Sequence, residues 1–216
     1  MLRIGAAGVA FMILLQPSTT YGQEPPPRIG PFVVDLHGTF PKFAADDLIA
    51  ASRGLTESEL PGLGIGVSGS AHYYFLKISG VTFGVGAEAT VGRAHSSPSS
   101  DASGLLQLQA VTETLKSASP QFSLNFGNGN GWSYLSIGVG RSKWSVVPDG
   151  AERLPADDET LKTINYGGGA RWFIKPRLAF SLDVRFYEIK QGTPQGTLPA
   201  SPHAVILVIG AGISVR

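Results

Sequence analysis

From Val81 to Gly92 every second residue is apolar. Val81, Phe83, Val85, Ala87, Ala89 and Val91 share one face, and Thr82, Gly84, Gly86, Glu88, Thr90 and Gly92 share the other. A period of two marks a strand with unlike surroundings on its two sides, and no α-helix generates it. The pattern returns along the chain. Leu178, Phe180, Leu182, Val184 and Phe186 oppose Ala179, Ser181, Asp183, Arg185 and Tyr187. Phe122, Leu124 and Phe126 oppose Gln121, Ser123 and Asn125, while Ile65, Val67, Ala71, Tyr73 and Phe75 oppose Gly64, Gly66, Ser68, Ser70, His72 and Tyr74. Gly30–Phe40, Ile164–Trp172 and His203–Arg216 follow the rule less cleanly. In Trp132–Ser145, Leu135, Ile137 and Val139 face out, which turns Trp132 and Tyr134 inward unless a bulge resets the register. The segments number eight.

The connections alternate in length. Leu76–Gly80, Gly127–Gly131 and Ile174–Arg177 are short and built from Gly, Asn and Pro, as tight turns require. Pro41–Pro61, His95 to about Lys116, Val146–Glu159 and Gln191–Pro202 are longer, polar and rich in Pro and Ser. Short turns at one end and long loops at the other is the layout of an outer-membrane barrel. Composition agrees with lipid-facing strands. Charged residues are only 15% against roughly 25% in soluble domains, and glycine supplies 28 of 216 positions. Aromatics gather beside the short turns (Tyr73, Tyr74 and Phe75; Phe126, Trp132 and Tyr134; Trp172 and Phe173), which predicts a girdle at that membrane interface.

The N-terminus reads as a targeting segment. Arg3 precedes an apolar run from Ile4 to Leu15, broken by Gln16-Pro17, and Thr20-Tyr21-Gly22 supplies small residues for a peptidase. Twelve residues span about 18 Å as a helix, too short for a bilayer core. The expected organisation is a signal peptide over 1–22, a Pro-rich stub over 23–29 and one barrel over 30–216. No later apolar run approaches twenty residues, so a membrane-spanning form of the mature chain must be a closed barrel.

The mature chain resembles the OmpA-like or OmpW-like family of outer-membrane β-barrel domains, most clearly over Asn165–Phe186. There a glycine-rich strand, a turn and an apolar strand with Asp and Arg on its inner face follow one another. The resemblance implies a single eight-stranded antiparallel up-and-down barrel. Family members end in Phe or Trp, whereas this chain ends Ser214-Val215-Arg216, with the preceding alternation kept.

With the faces so assigned, Asp35, His37, His72, Glu88, Arg171, Asp183 and Arg185 point into the lumen. An eight-stranded barrel is just wide enough for side chains to fill it, and buried charges persist only when paired. The expected lumen is therefore a structural ion-pair network, similar to the plug of OmpA-like barrels. Arg171 and Arg185 should pair with acids drawn from Glu88, Asp183 and Asp35.

Chemistry is faintly written. Without Cys there is no thiolate site or disulfide. His95 beside Ser96 and Ser97, and His203 after Ser201, are the only close His–Ser pairings, and no neighbouring carboxylate orients the first. Asp46-Asp47 and Asp157-Asp158-Glu159 read as solvated loop acids, and Gly127–Gly131 as a hairpin turn, not a phosphate cradle. With 17 basic and 16 acidic residues and no basic stretch interleaved with aromatics, nucleic acid is excluded as a partner. The expectation is a monomeric, non-enzymatic outer-membrane barrel without cofactor or metal. Its partners would be outer-membrane lipid and extracellular ligands reached through the long loops. The alternatives are an OmpW-like conduit for small hydrophobic molecules, a lipid-modifying barrel enzyme, and a soluble lipocalin-like binder with the two faces reversed.

Overall fold

The computed structural model describes residues 31–97, 99–100 and 107–216. The expected signal peptide and stub lie outside them. Eight long strands account for most of the described chain: β1 (Phe32–Lys42), β2 (Ile65–Ile78), β3 (Val81–His95), β4 (Val111–Asn128), β5 (Gly131–Pro148), β6 (Leu161–Lys175), β7 (Leu178–Ile189) and β8 (Ala204–Val215). Each pairs antiparallel with its sequence neighbours, and β8 pairs with β1 from Val34↔Val215 to Lys42↔Leu207, closing the ring. The fold is a closed up-and-down eight-stranded antiparallel barrel. Both β1 and β8 have their free ends on the short-turn side.

The turns show why the register holds. Asn128 pairs with Gly131, so β4 and β5 are joined by two residues, Gly129-Asn130. Gly129 has φ +68°, a left-handed conformation that costs glycine nothing. Trp132 and Tyr134 do turn inward, and the β4–β5 and β5–β6 ladders run through them without a bulge. A register shift does occur in β2 between Tyr74 and Leu76, and another in β6 between Phe173 and Lys175. The first lets Phe75 and Leu76 both face outward.

Alternation sorts the side chains as the pattern requires. Phe32, Val34, Leu36, Ile65, Val67, Leu135, Ile137, Val139, Ile209 and Ile213 are exposed on the outer surface, while Ser, Thr, Asn, His and charged residues are buried inside. This is the reverse of a lipocalin-like barrel, whose cavity is apolar and whose outside is wet.

Three expectations are corrected. Val111–Lys116 belongs to β4 and not to a loop, and Val146–Pro148 likewise extends β5, because Val111, Leu115 and Val146 find an apolar interior there. Pro41 and Lys42 extend β1, and Leu76–Ile78 extend β2, leaving a turn at Ser79-Gly80. Tyr74, Trp132, Tyr134 and Phe173 face the lumen, so the outward aromatics near the short turns are Phe32, Tyr73, Phe75, Phe126, Trp172 and Phe180.

Candidate functional site

The interior has three layers. At the short-turn end, Val33, Tyr74, Trp132, Phe173 and Ala179 form a small apolar plug. The Trp132 and Phe173 rings lie 4.4 Å apart, and the Arg216 guanidinium sits over both.

The middle layer is polar: Asp35, His37, His72, Glu88, Arg171, Asp183 and Arg185 lie in it, and all but His72 are hydrogen-bonded. Asp35 and Arg171 meet in a two-pronged pair. Arg171 Nε donates to Asp35 Oδ1 and Nη2 to Oδ2, each at 2.8 Å, with both side chains fully buried. Ser70 donates to Asp35 Oδ2 at 2.9 Å and Ser214 to Oδ1 at 2.5 Å, so strands on both sides of the closing seam hold one carboxylate. The Arg171 guanidinium also stacks on the Tyr134 ring, 3.9 Å from its centre. Arg185 reaches Glu88 Oε2 at 2.8 Å and Asp183 Oδ1 at 3.3 Å. Tyr187 and Thr90 hydrogen-bond to Glu88, and Tyr134 donates to Asp183 at 2.6 Å. His37 Nε2 bonds Ser181 Oγ at 2.8 Å, whereas His72 Nδ1 stands 4.0 Å from Asp35, beyond hydrogen-bond reach.

Neutral groups extend the network. Gln121 and Asn165 bridge β4 and β6, the Gln121 amide donating to Asn165 at 2.7 Å, and both contact Ser119. Gly138 lies between them on β5. A Cβ there would come within 2.6 Å of Gln121 Nε2 and 2.8 Å of Asn165 Oδ1, so glycine makes room for the bridge.

The Arg185 cluster gives a direct comparison. Glu88→Ala would leave Arg185 with only the less buried Asp183 for charge partner, and breaking a buried pair costs about 3–5 kcal/mol. Asp158→Ala removes an exposed pair with Arg153, for which at most about 1 kcal/mol is expected. Urea unfolding of the two variants should therefore separate clearly. Equal small shifts would mean that Glu88 is solvated.

The third layer was not foreseen. Toward the long loops the lumen turns apolar: Val111, Leu115, Trp144, Val146, Leu161, Ile189, Ile206 and Val208 pack together. Phe43, Ile49, Ala50 and Leu60, from the β1–β2 loop, cover them. This loop carries α1 (Asp47–Ala51), started by Asp46, whose carboxylate accepts from Ile49 N at 2.9 Å. Arg53 then ties three loops together. It donates to Asp157, in α2 (Pro155–Asp158), at 3.0 Å and to Ser201 Oγ at 3.1 Å. Asp157 is thus no solvated acid. It is buried, and it also accepts from Val146 N and Leu154 N, while Asp158 stays exposed. Glu59 joins the cap to the segment before β4, and the backbone N–H groups of Thr56 and Gln109 hold its carboxyl below the usual range.

A sequence signal for this layer existed. Ala204–Ile209 is an unbroken apolar run, and a strand apolar on both faces needs apolar surroundings on both.

The His–Ser pairings do not form. His95 Nδ1 contacts Thr112 Oγ1 at 3.1 Å, and His203 lies 3.6 Å from Glu188. Ser201 is buried, donating to Ala156 O and accepting from Arg53.

The fold has a known counterpart. Neisserial surface protein A is similar with a TM-score of 0.54 at 17% identity, over 87% of this chain and 97% of that one. The attachment invasion locus protein Ail of Yersinia pestis gives 0.49 at 14%, over 85% and 97%. The outer membrane protease OmpT from Escherichia coli gives 0.41 at 7%, over 85% and 96%. No family model and no curated protein matches the chain. At 17% identity the likeness to the Neisserial protein is one of fold.

Proposed function

We propose that this chain is a bacterial outer-membrane barrel with a closed lumen, and that it works at the cell surface through its long-loop end. The observation that carries the reading is the inversion of the two faces. An apolar outer surface surrounds an interior that holds the Asp35–Arg171 and Glu88–Arg185 pairs and is capped at both ends. In water such a belt far exceeds the apolar patch of an ordinary monomer, and in lipid it is what a spanning barrel needs. Residues 1–22 would direct export. The loop cap held by Arg53, Asp157 and Ser201 would present a stable outer surface for extracellular ligands, with no catalytic role.

Cell fractionation and gel mobility test the membrane assignment. The protein should be recovered with outer membranes and run faster unheated than boiled. Recovery in the soluble periplasm without a mobility shift would end the reading. Planar-bilayer recording tests the closed lumen separately. The expected trace has no steady conductance, because large side chains such as Arg171, Trp132, Trp144 and Tyr187 are fully buried in the interior. Porin-sized steps would favour a conduit instead.

A further inference from the structure

One region of the outer surface concentrates positive charge. At the long-loop end of β3–β6, Arg93, Lys116, Arg141, Lys143 and Lys162 all point outward and are exposed. The register puts like charges face to face: Lys116 pairs with Lys143 across β4–β5, and Arg141 with Lys162 across β5–β6. Directly opposite residues have Cβ atoms about 5 Å apart, and like charges so placed are destabilising. None of the five forms an ion pair among the described residues; the nearest outward-facing acid on the barrel wall, Glu188, is engaged by Lys190 and His203. A repulsive cluster kept at one level of one side of a barrel implies an anion supplied from outside.

The surroundings define that anion. Toward the short turns the same face becomes apolar, through Val91, Phe122, Ile137, Val139 and Ile164. Toward the loops, the next outward pair is Thr114↔Ser145. These two, with Thr112, Val147, Asp149 and Arg153, line a surface hollow of about 320 Å³ beneath the β5–β6 loop. From membrane to solvent the order is thus an apolar wall, a cation cluster, then a hollow that offers the Asp149 carboxylate and the Arg153 guanidinium. We propose that this face binds a phosphorylated glycolipid of the outer leaflet. Its acyl chains would lie on the wall, its phosphates on Lys116, Lys143, Arg141 and Lys162, and its sugar hydroxyls in the hollow, where Asp149 can accept from them. A plain anionic phospholipid satisfies the cations but leaves the hollow unused.

The site rests on the membrane-barrel reading, so the test begins with the wild-type full chain refolded into phosphatidylcholine vesicles. Failure to give the heat-modifiable folded band would count against that reading. With folding established, binding of fluorescently labelled diphosphoryl lipid A to the detergent-solubilised barrel is followed by anisotropy. Phosphatidylglycerol is the competitor. Diphosphoryl lipid A should bind more tightly than phosphatidylglycerol. K116S/K143S should bind it on the order of twentyfold more weakly, each cation near a charged lipid surface contributing roughly fivefold. K42S/K175S, which removes two outward lysines elsewhere, should bind as wild type. Equal binding of the two lipids, or full binding by K116S/K143S, overturns the proposal. A second readout needs no ligand. In phosphatidylcholine vesicles K116S/K143S should resist urea better than wild type, since it relieves a repulsion. Lower resistance would mean that the lysines already have protein partners, and would equally overturn the site.

Discussion

Deleting β8, Ala204–Val215, is expected to abolish assembly of the barrel altogether. The strand pairs with β7 along its whole length and with β1 over nine residues, so its loss opens two edges at once. In a hydrocarbon environment each unpaired backbone group costs several kcal/mol, so two bare edges exceed the whole stability of a domain, about 5–15 kcal/mol. The interior suffers as well. Ile206 and Val208 leave the loop-end core, and Ser214 no longer reaches Asp35. Refolding into vesicles, followed by the gel-mobility shift and protease protection, measures the effect. The truncated chain should give only the slow, protease-sensitive form. A fast-migrating protected band at wild-type yield would show that β1 and β7 can satisfy each other, and that the ring does not depend on β8.

The barrel was legible because its cause is periodic. Wherever one face of a strand meets an apolar outside and the other a polar inside, alternation is forced, and Val81–Gly92 or Leu178–Tyr187 cannot be read otherwise. The same logic puts Asp183 and Arg185 on one face, since they are two residues apart. It failed where the interior changes character. In Val111–Leu115 and Trp144–Val146 the apolar Val111, Leu115, Trp144 and Val146 face inward while Thr112, Thr114 and Ser145 lie on the outer side, so the contrast is the reverse of that elsewhere and does not read as a continuation of the strand. Loop contacts were invisible for a different reason. Arg53, Asp157 and Ser201 are separated by 104 and 44 residues, and nothing local distinguishes a carboxylate buried against a distant arginine from one in water. Trp132 and Phe173 illustrate a third limit. Aromatics near a turn suit both an interfacial girdle and an inward plug, and only the register decides between them.

Asp35→Ala is expected to be the most damaging single substitution in the lumen. The carboxylate takes two hydrogen bonds from Arg171 and one each from Ser70 and Ser214, so one side chain on β1 secures β2, β6 and β8. Arg171 is completely inaccessible and, among the described residues, has no other acid in ion-pair range, so its charge would be stranded. Loss of one partner from a buried pair costs about 3–5 kcal/mol, and the orphaned hydroxyls add about 1 kcal/mol or more each. Asp35→Asn is the informative companion. It keeps the shape and some hydrogen bonds but not the charge, and should fall between alanine and wild type. Arg171→Met in the Asp35→Ala background should recover part of the loss, because replacing both members of a buried pair by apolar groups is often neutral. Urea unfolding in vesicles reads all four chains. If Asp35→Ala unfolds within about 1 kcal/mol of wild type, as an exposed pair would, water or a neighbouring acid must be reaching Arg171. The account of a stranded Arg171 charge would then have to be given up.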